Sequence, residues 1–161
     1  MKIKRSAKTK GFTIIEVVLV LAIAGLIFMM VFIALPALQR SQRDTQRKND
    51  LSRAITAITT YASNNRGALP DLSDGAKNDA FIKQYLTASG DTFVDPSGTN
   101  YSIKAASSGD AVATTFSADS PVILATTGST CNGETLTDKQ GARKIALQMK
   151  LEGGGIACSS N

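Results

Sequence analysis

The sequence predicts an α+β protein: a long N-terminal helix, apolar in its first half and amphipathic in its second, packed on a small antiparallel β-sheet head. Three observations predict it. Residues Val17 to Leu38 form 22 consecutive positions without a charge or a hydrogen-bonding side chain. Residues 39–64 continue without a single Gly or Pro and repeat apolar side chains at helical spacing. Beyond Gly67 the chain changes to short apolar runs divided by Gly, Pro, Asp, Ser and Asn, the pattern of strands and turns.

As a helix the apolar run spans about 33 Å, enough for a hydrocarbon core of about 30 Å. Fourteen of its 22 residues are Val, Leu, Ile or Phe, which favour insertion by roughly 4–8 kcal/mol. Glu16, at the start of the run, costs at most about 3 kcal/mol, so insertion wins. Lys2, Lys4, Arg5, Lys8 and Lys10 precede it with no acid among them, which places the N-terminus in the cytoplasm and everything after Leu38 outside. The formal charge of +5 belongs to this leader, because the rest of the chain balances 13 cations against 13 acids. A secretory signal has an apolar core of only about 7–15 residues. A plain single-pass anchor explains the length but leaves the Glu16 carboxylate without a partner. A cut between Gly11 and Phe12 would supply one, as a new α-amino group four residues before Glu16 on a neighbouring subunit.

Gly25 and Pro36 interrupt the apolar helix, and Pro36 predicts a kink or local melt over residues 34–36. In the next segment Leu51, Ile55, Ile58 and Ala62 share one face, and the Arg66-Gly67 pair ends the helix with Gly67 as a left-handed cap. Arg40, Arg43, Arg47, Lys48 and Arg53 read as a solvated stalk near anionic headgroups, with Asp44 and Lys48 as an i,i+4 pair.

In the head, residues 79–87 form a short amphipathic stretch carrying Phe81, Ile82, Tyr85 and Leu86. Strands are expected at 100–105, 112–118, 121–127 and 143–151, with a short final strand at 156–158 after Gly153-Gly154-Gly155. The triplet lacks the Lys-Ser/Thr of a phosphate loop. Polar turns favour an antiparallel meander. Asp95-Pro96-Ser97-Gly98-Thr99-Asn100-Tyr101 reads as a turn entering a strand. Asp71, Asp74, Asn78 and Asp79 lack EF-hand spacing and read as solvated loop acids. Asn100-Tyr101-Ser102 fits a short glycosylation sequon. With no histidine in the chain, Ser-His and Cys-His catalysis and histidine-bearing metal sites are excluded. Cys131 and Cys158 fit one disulfide outside the membrane, stabilising the head by roughly 3–4 kcal/mol.

The leader, the Lys10-Gly11 pair before Phe12-Thr13-Ile14-Ile15-Glu16 and the long apolar helix together closely resemble the class III signal of type IV pilins and their relatives. The resemblance covers residues 1–40 and implies the type IV pilin fold. It divides the chain into a cleaved leader at 1–11, a transmembrane and filament-core helix at 12–38, an amphipathic stalk helix at 39–64 and a globular head at 65–161. It implies that a prepilin peptidase cuts after Gly11 and methylates Phe12, that Glu16 guides docking into the filament, and that the helix bends around Gly25 and Pro36. The segment joining stalk to sheet resembles the αβ-loop of pilins. The bond between Cys131 and Cys158 would resemble their C-terminal disulfide loop, with a contact surface around residues 130–139. Asp95 to Tyr101 resembles the Asp-Pro-x-Gly-x-x-Tyr element of major pseudopilins and some Gram-positive pilins.

The implied function is structural: a subunit stored in the cytoplasmic membrane and then polymerised into an extracellular filament. Its implied partners are the peptidase, other pilin subunits, the assembly platform with its ATPase, and membrane lipid before assembly. No enzymatic activity, cofactor, metal or specific nucleic acid is expected. The alternatives are a pseudopilin of a type II secretion or DNA-uptake apparatus, and an uncut single-pass surface binding protein.

Overall fold

The computed structural model describes residues 11–107 and 116–161. It is an α+β structure of two compact units, Met1–Leu38 and Gln39–Asn161. Helix α1, Ile14–Asn64, runs through both and contains Gly25 and Pro36 with helical residues on either side of each. Phe12, Ile14, Ile15 and the Val, Leu, Ile, Phe and Met residues of 17–38 are all exposed. By length and composition this is a helix able to span a membrane.

In the second unit the buried face of α1 comprises Asp44, Arg47, Asp50, Leu51, Ala54, Ile55, Ala57 and Ile58. Leu51, Ile55 and Ile58 are the face expected from their spacing. Toward the N-terminus the same stripe continues in charged residues rather than apolar ones. At the other end the Gly67 N–H donates to Ala62 O at 2.7 Å, a six-to-one bond that closes the helix. Arg66 and Gly67 both have positive φ, 58° and 86°, so the residue just past the helix that takes the left-handed conformation is Arg66. Gly67, at φ 86°, lies in the left-handed region that favours glycine, and the exposed Arg143 guanidinium packs against it.

Helix α2, Gly75–Tyr85, begins four residues before the expected stretch, because the Asp74 carboxylate caps it by accepting the Ala76 N–H. Phe81 and Tyr85 close an aromatic cluster with Tyr61 of α1, with centroids 5.3–5.9 Å apart.

Six strands follow: β1 Ser102–Ala106, β2 Val122–Thr127, β3 Thr130–Asn132, β4 Thr135–Thr137, β5 Ile145–Lys150 and β6 Ile156–Ser160. The main sheet has the order β1-β2-β5-β6, and β3-β4 forms a separate hairpin. The β2-β5 and β5-β6 pairs are antiparallel as expected, whereas β1 and β2 are parallel. A parallel neighbour requires a connection of a dozen or more residues, and residues 107–121 supply it. The strand expected at 112–118 lies mostly outside the described residues, and its described end, Phe116–Ala118, is not in a strand.

Strand β5 shows why alternation understates burial at the centre of a sheet. Ile145, Leu147 and Met149 face the core, but Ala146 and Gln148 on the opposite face are buried too. The β3-β4 hairpin covers that face, and Gln148 Nε2 donates to Glu134 O at 2.8 Å. The hairpin is held by the disulfide from Cys131 in β3 to Cys158 in β6.

The bond closes a loop with a sequence separation of 27, so its removal is expected to cost about 3–4 kcal/mol through the entropy of the unfolded chain. Urea unfolding of Cys131→Ser/Cys158→Ser against the oxidised protein measures this. Two reactive thiols per chain in the denatured, unreduced protein would contradict the bond.

Candidate functional site

Two regions carry polar groups in unusual settings, one in each unit. The first is the start of α1. Gly11 and Phe12 precede the helix and are exposed, and Thr13 stands at its N-cap. The Thr13 N–H donates to Glu16 Oε2 at 2.9 Å, and the Thr13 hydroxyl donates to the same oxygen at 2.8 Å. The Glu16 N–H returns a 3.4 Å bond to Thr13 Oγ1. Thr13-Ile14-Ile15-Glu16 is therefore a capping box, a signal present in the sequence as Thr-x-x-Glu and overlooked there in favour of intermolecular partners. Glu16 has a local role within its own chain. It is still the only acid on an otherwise apolar and exposed helical segment.

The second region is an ion cluster in the head. Arg47, expected on a solvated stalk, is fully buried. Its Nε and Nη2 donate to Asp95 Oδ2 and Oδ1 at 2.6 and 2.9 Å, a two-pronged pair. Its Nη1 donates to Asp44 Oδ1 at 2.9 Å and to Glu152 Oε2 at 3.2 Å. The Phe116 ring covers the guanidinium, with its centroid 4.1 Å from Cζ. Asp44 pairs with Arg47 instead of Lys48. Its remaining capacity is filled by the backbone N–H groups of Glu152 and Gly153, at 2.9 and 2.7 Å. Gly153 is required here because a Cβ would stand 2.9 Å from Asp44 Oδ2. Glu152 receives a second two-pronged contact from Arg43, and Arg40 lies at 3.8 Å.

One turn further along α1, Asp50 accepts the Tyr101 hydroxyl at 3.1 Å and Arg53 Nη1 at 3.2 Å. The segment from Asp95 to Tyr101 is thus fixed to α1 at both ends. Within it the Asp95 N–H donates to Thr99 O at 2.8 Å, and the Ser97 N–H donates to Asp95 Oδ1 at 2.9 Å.

Electrostatics follow from these contacts. Burial disfavours the Arg47 cation, but hydrogen bonds to Asp95, Asp44 and Glu152 outweigh it and raise its pKa. Burial likewise pushes Asp95 up, and its bonds from Arg47 and Ser97 bring it below the ordinary range. The Arg43 hydrogen bond lowers Glu152 to about 2, assisted by Arg47 against a smaller effect of burial. Asp50 is raised, because its desolvation exceeds the help from Tyr101 and Arg53.

Three of the four loop residues weighed against EF-hand spacing have partners of their own. Asp71 accepts from Ser73 and Lys77, Asp74 caps α2, and Asn78 is buried with its Nδ2 donating to Ile103 O. Asp79 is exposed, as is Asn100. The structure joins Cys131 to Cys158. Apart from that pair, it assembles residues that spacing alone did not connect: Arg47 with Asp95, Asp44 with Glu152, and Asp50 with Tyr101. Comparisons with protein-family models, with characterised proteins and with solved structures returned no match.

Removing one partner of a buried pair leaves the other charge uncompensated, at a cost of about 3–5 kcal/mol. Arg47→Ala and Asp95→Ala are expected to show losses of that size, while Lys48→Ala changes stability by less than about 0.5 kcal/mol. Glu152 adds a pH dependence. Its folded pKa lies below the usual 4.5, so its contribution is complete above that value and falls away as pH drops toward 2. Urea titrations from pH 7 to pH 2.5 should show Glu152→Gln less stable at pH 7 and converging on wild type at the acid end.

Proposed function

We propose that the chain is a structural subunit of a type IV pilus-like surface filament, cut after Gly11 and methylated on Phe12 by a prepilin peptidase. It waits in the cytoplasmic membrane and polymerises through its N-terminal helix. One observation carries this reading. Among the described residues, 14–38 form an exposed apolar helical surface bearing a single carboxylate beside a Gly-Phe junction. In a bilayer lipid covers such a surface, and in a fibre other copies of the same helix cover it. Glu16 then serves as the docking carboxylate for the α-amino group of a neighbour's Phe12. That pairing removes two charges from an apolar bundle together, which neither achieves alone.

On this reading the head works as a folded outer surface rather than a catalyst. The cluster supports that role, because each of its carboxylates accepts hydrogen bonds from groups of its own chain. A pseudopilin of a secretion or DNA-uptake machine is the second reading. The anchored segment Asp95–Tyr101 favours it, since it resembles the corresponding element of major pseudopilins.

The mass of the protein purified from its own membranes tests processing. Loss of residues 1–11 and a methyl group on the new N-terminus are expected. Replacing Gly11 with Leu should leave an inserted, uncut precursor and no fibres, and normal maturation of that variant would overturn the proposal. Glu16→Ala should be cut and inserted at least as well as wild type, because a charge has left the bilayer. It should nevertheless assemble poorly, and polymerisation at the wild-type rate would remove the role assigned to Glu16.

A further inference from the structure

Strand β1 is an edge of the main sheet, hydrogen-bonded to β2 on one side. The Ser102 N–H donates to Pro121 O at 3.0 Å, which fixes the alternation of this parallel ladder. Ser102, Lys104 and Ala106 turn their peptide groups toward β2, so Ile103 and Ala105 turn theirs outward. The outward direction is marked by Asn78 of α2, whose Nδ2 donates to Ile103 O.

A groove of about 620 Å³ runs along this edge, lined by described residues only. One wall is β1 from Ser102 to Ala105, and the other is the start of α2 with Leu72, Asn78 and Asp79. Asn78 is only 6% exposed, yet its Oδ1 has no hydrogen-bond partner among the described residues. A buried acceptor left unpaired is costly, and a ligand bringing an N–H donor relieves that cost. Nδ2 takes the place of a neighbouring strand's N–H at Ile103 and ends the ladder there. One step on, Ala105 is exposed and offers both an N–H and a C=O. Asp79 and Lys104 are exposed too, one on each wall. Side chains alternate along a strand, so Lys104 lies on the face opposite Ile103, which belongs to the core with Leu72 and Phe81.

We infer that this groove binds an extended peptide segment of a partner protein, added as a strand beside β1 and carrying adjacent basic and acidic side chains. Main-chain bonds to Ala105 and an N–H to Asn78 Oδ1 hold such a strand whatever its sequence. Charge then selects among strands. Neighbouring side chains of the added strand point to opposite faces, which sets a basic one toward Asp79 and an acidic one toward Lys104. The binding needs neither a cut after Gly11 nor a filament.

Fluorescence anisotropy tests this with a labelled, end-blocked hexapeptide, Thr-Val-Lys-Glu-Val-Thr, and the full chain in neutral detergent. Binding with a Kd below about 1 mM is expected, together with slowed amide hydrogen exchange at residues 103–105. Proline is tolerated where the N–H of an edge strand faces outward, so Ala105→Pro should fold and weaken binding about tenfold. Methylating the peptide's internal backbone nitrogens should weaken binding to the unaltered protein at least as much. That comparison carries the test if Ala105→Pro shifts the urea midpoint. Asp79→Asn and Lys104→Gln should each weaken binding of the charged peptide about two- to fivefold, and leave that of Thr-Val-Gln-Gln-Val-Thr unchanged. No binding of the hexapeptide, equal binding of its N-methylated form, or equal losses for both peptides in the charge variants would each overturn the inference. Protection of residues 103–105 without peptide, rising with protein concentration, would assign the edge to a second copy and overturn it as well.

Discussion

Burial of the Arg47 guanidinium is the constraint on which the head depends. A cation without water needs hydrogen-bond acceptors and balancing charge nearby. The carboxylates that take four of its five N–H donors come from α1 itself, from the segment before β1 and from the turn between β5 and β6. Three stretches far apart in sequence are therefore held at one point on the helix. Three arginines, at 40, 43 and 47, meet three carboxylates, at 44, 95 and 152, so the cluster closes without net charge. The Phe116 ring over Arg47 keeps water from competing for the same donors.

Such a cluster differs in kind from the apolar core beside it. Leu51, Ile55, Ile58, Ile123, Leu147 and Met149 stabilise by removal of area from water, which tolerates small shifts in packing. Two-pronged ion pairs fix distance and angle together. The combination gives the head a fixed seat on α1: the core supplies most of the attraction and the cluster supplies register. Two features of the turn at 152–155 follow from this need. Gly153 lets its N–H reach Asp44, and Glu152 presents its carboxylate to Arg43 and Arg47.

Much of the architecture was legible from the chain. The 22-residue apolar run, the face of Leu51, Ile55 and Ile58, the alternation around Ile145, Leu147 and Met149, and the pair of cysteines are local or compositional signals. They depend on helical and strand periodicity and on loop entropy, which a sequence records directly. The hairpin of β3 and β4 was not legible, because three-residue strands of mostly polar character show no period long enough to read. The same gap concealed the second buried face of β5. The parallel pairing of β1 with β2 was missed for a related reason, since pairing direction depends on where a connection returns and not on the strands themselves.

By itself the sequence determined that residues 17–38 suit a bilayer, that Glu16 stands alone within an apolar helix, and that a helix continues past Leu38 toward a small sheet. Each of these follows from composition and spacing along a single element, where the energy of a residue is set by its immediate neighbours. Tertiary structure alone decided the fate of the stalk cations. An arginine at position 47 looks the same in sequence as one at position 40, and either is most cheaply left in water. Only the arrival of Asp95 and Glu152, 48 and 105 positions away, makes burial of Arg47 tolerable. Whether a charge is solvent-facing or buried is a property of the partners that folding brings to it.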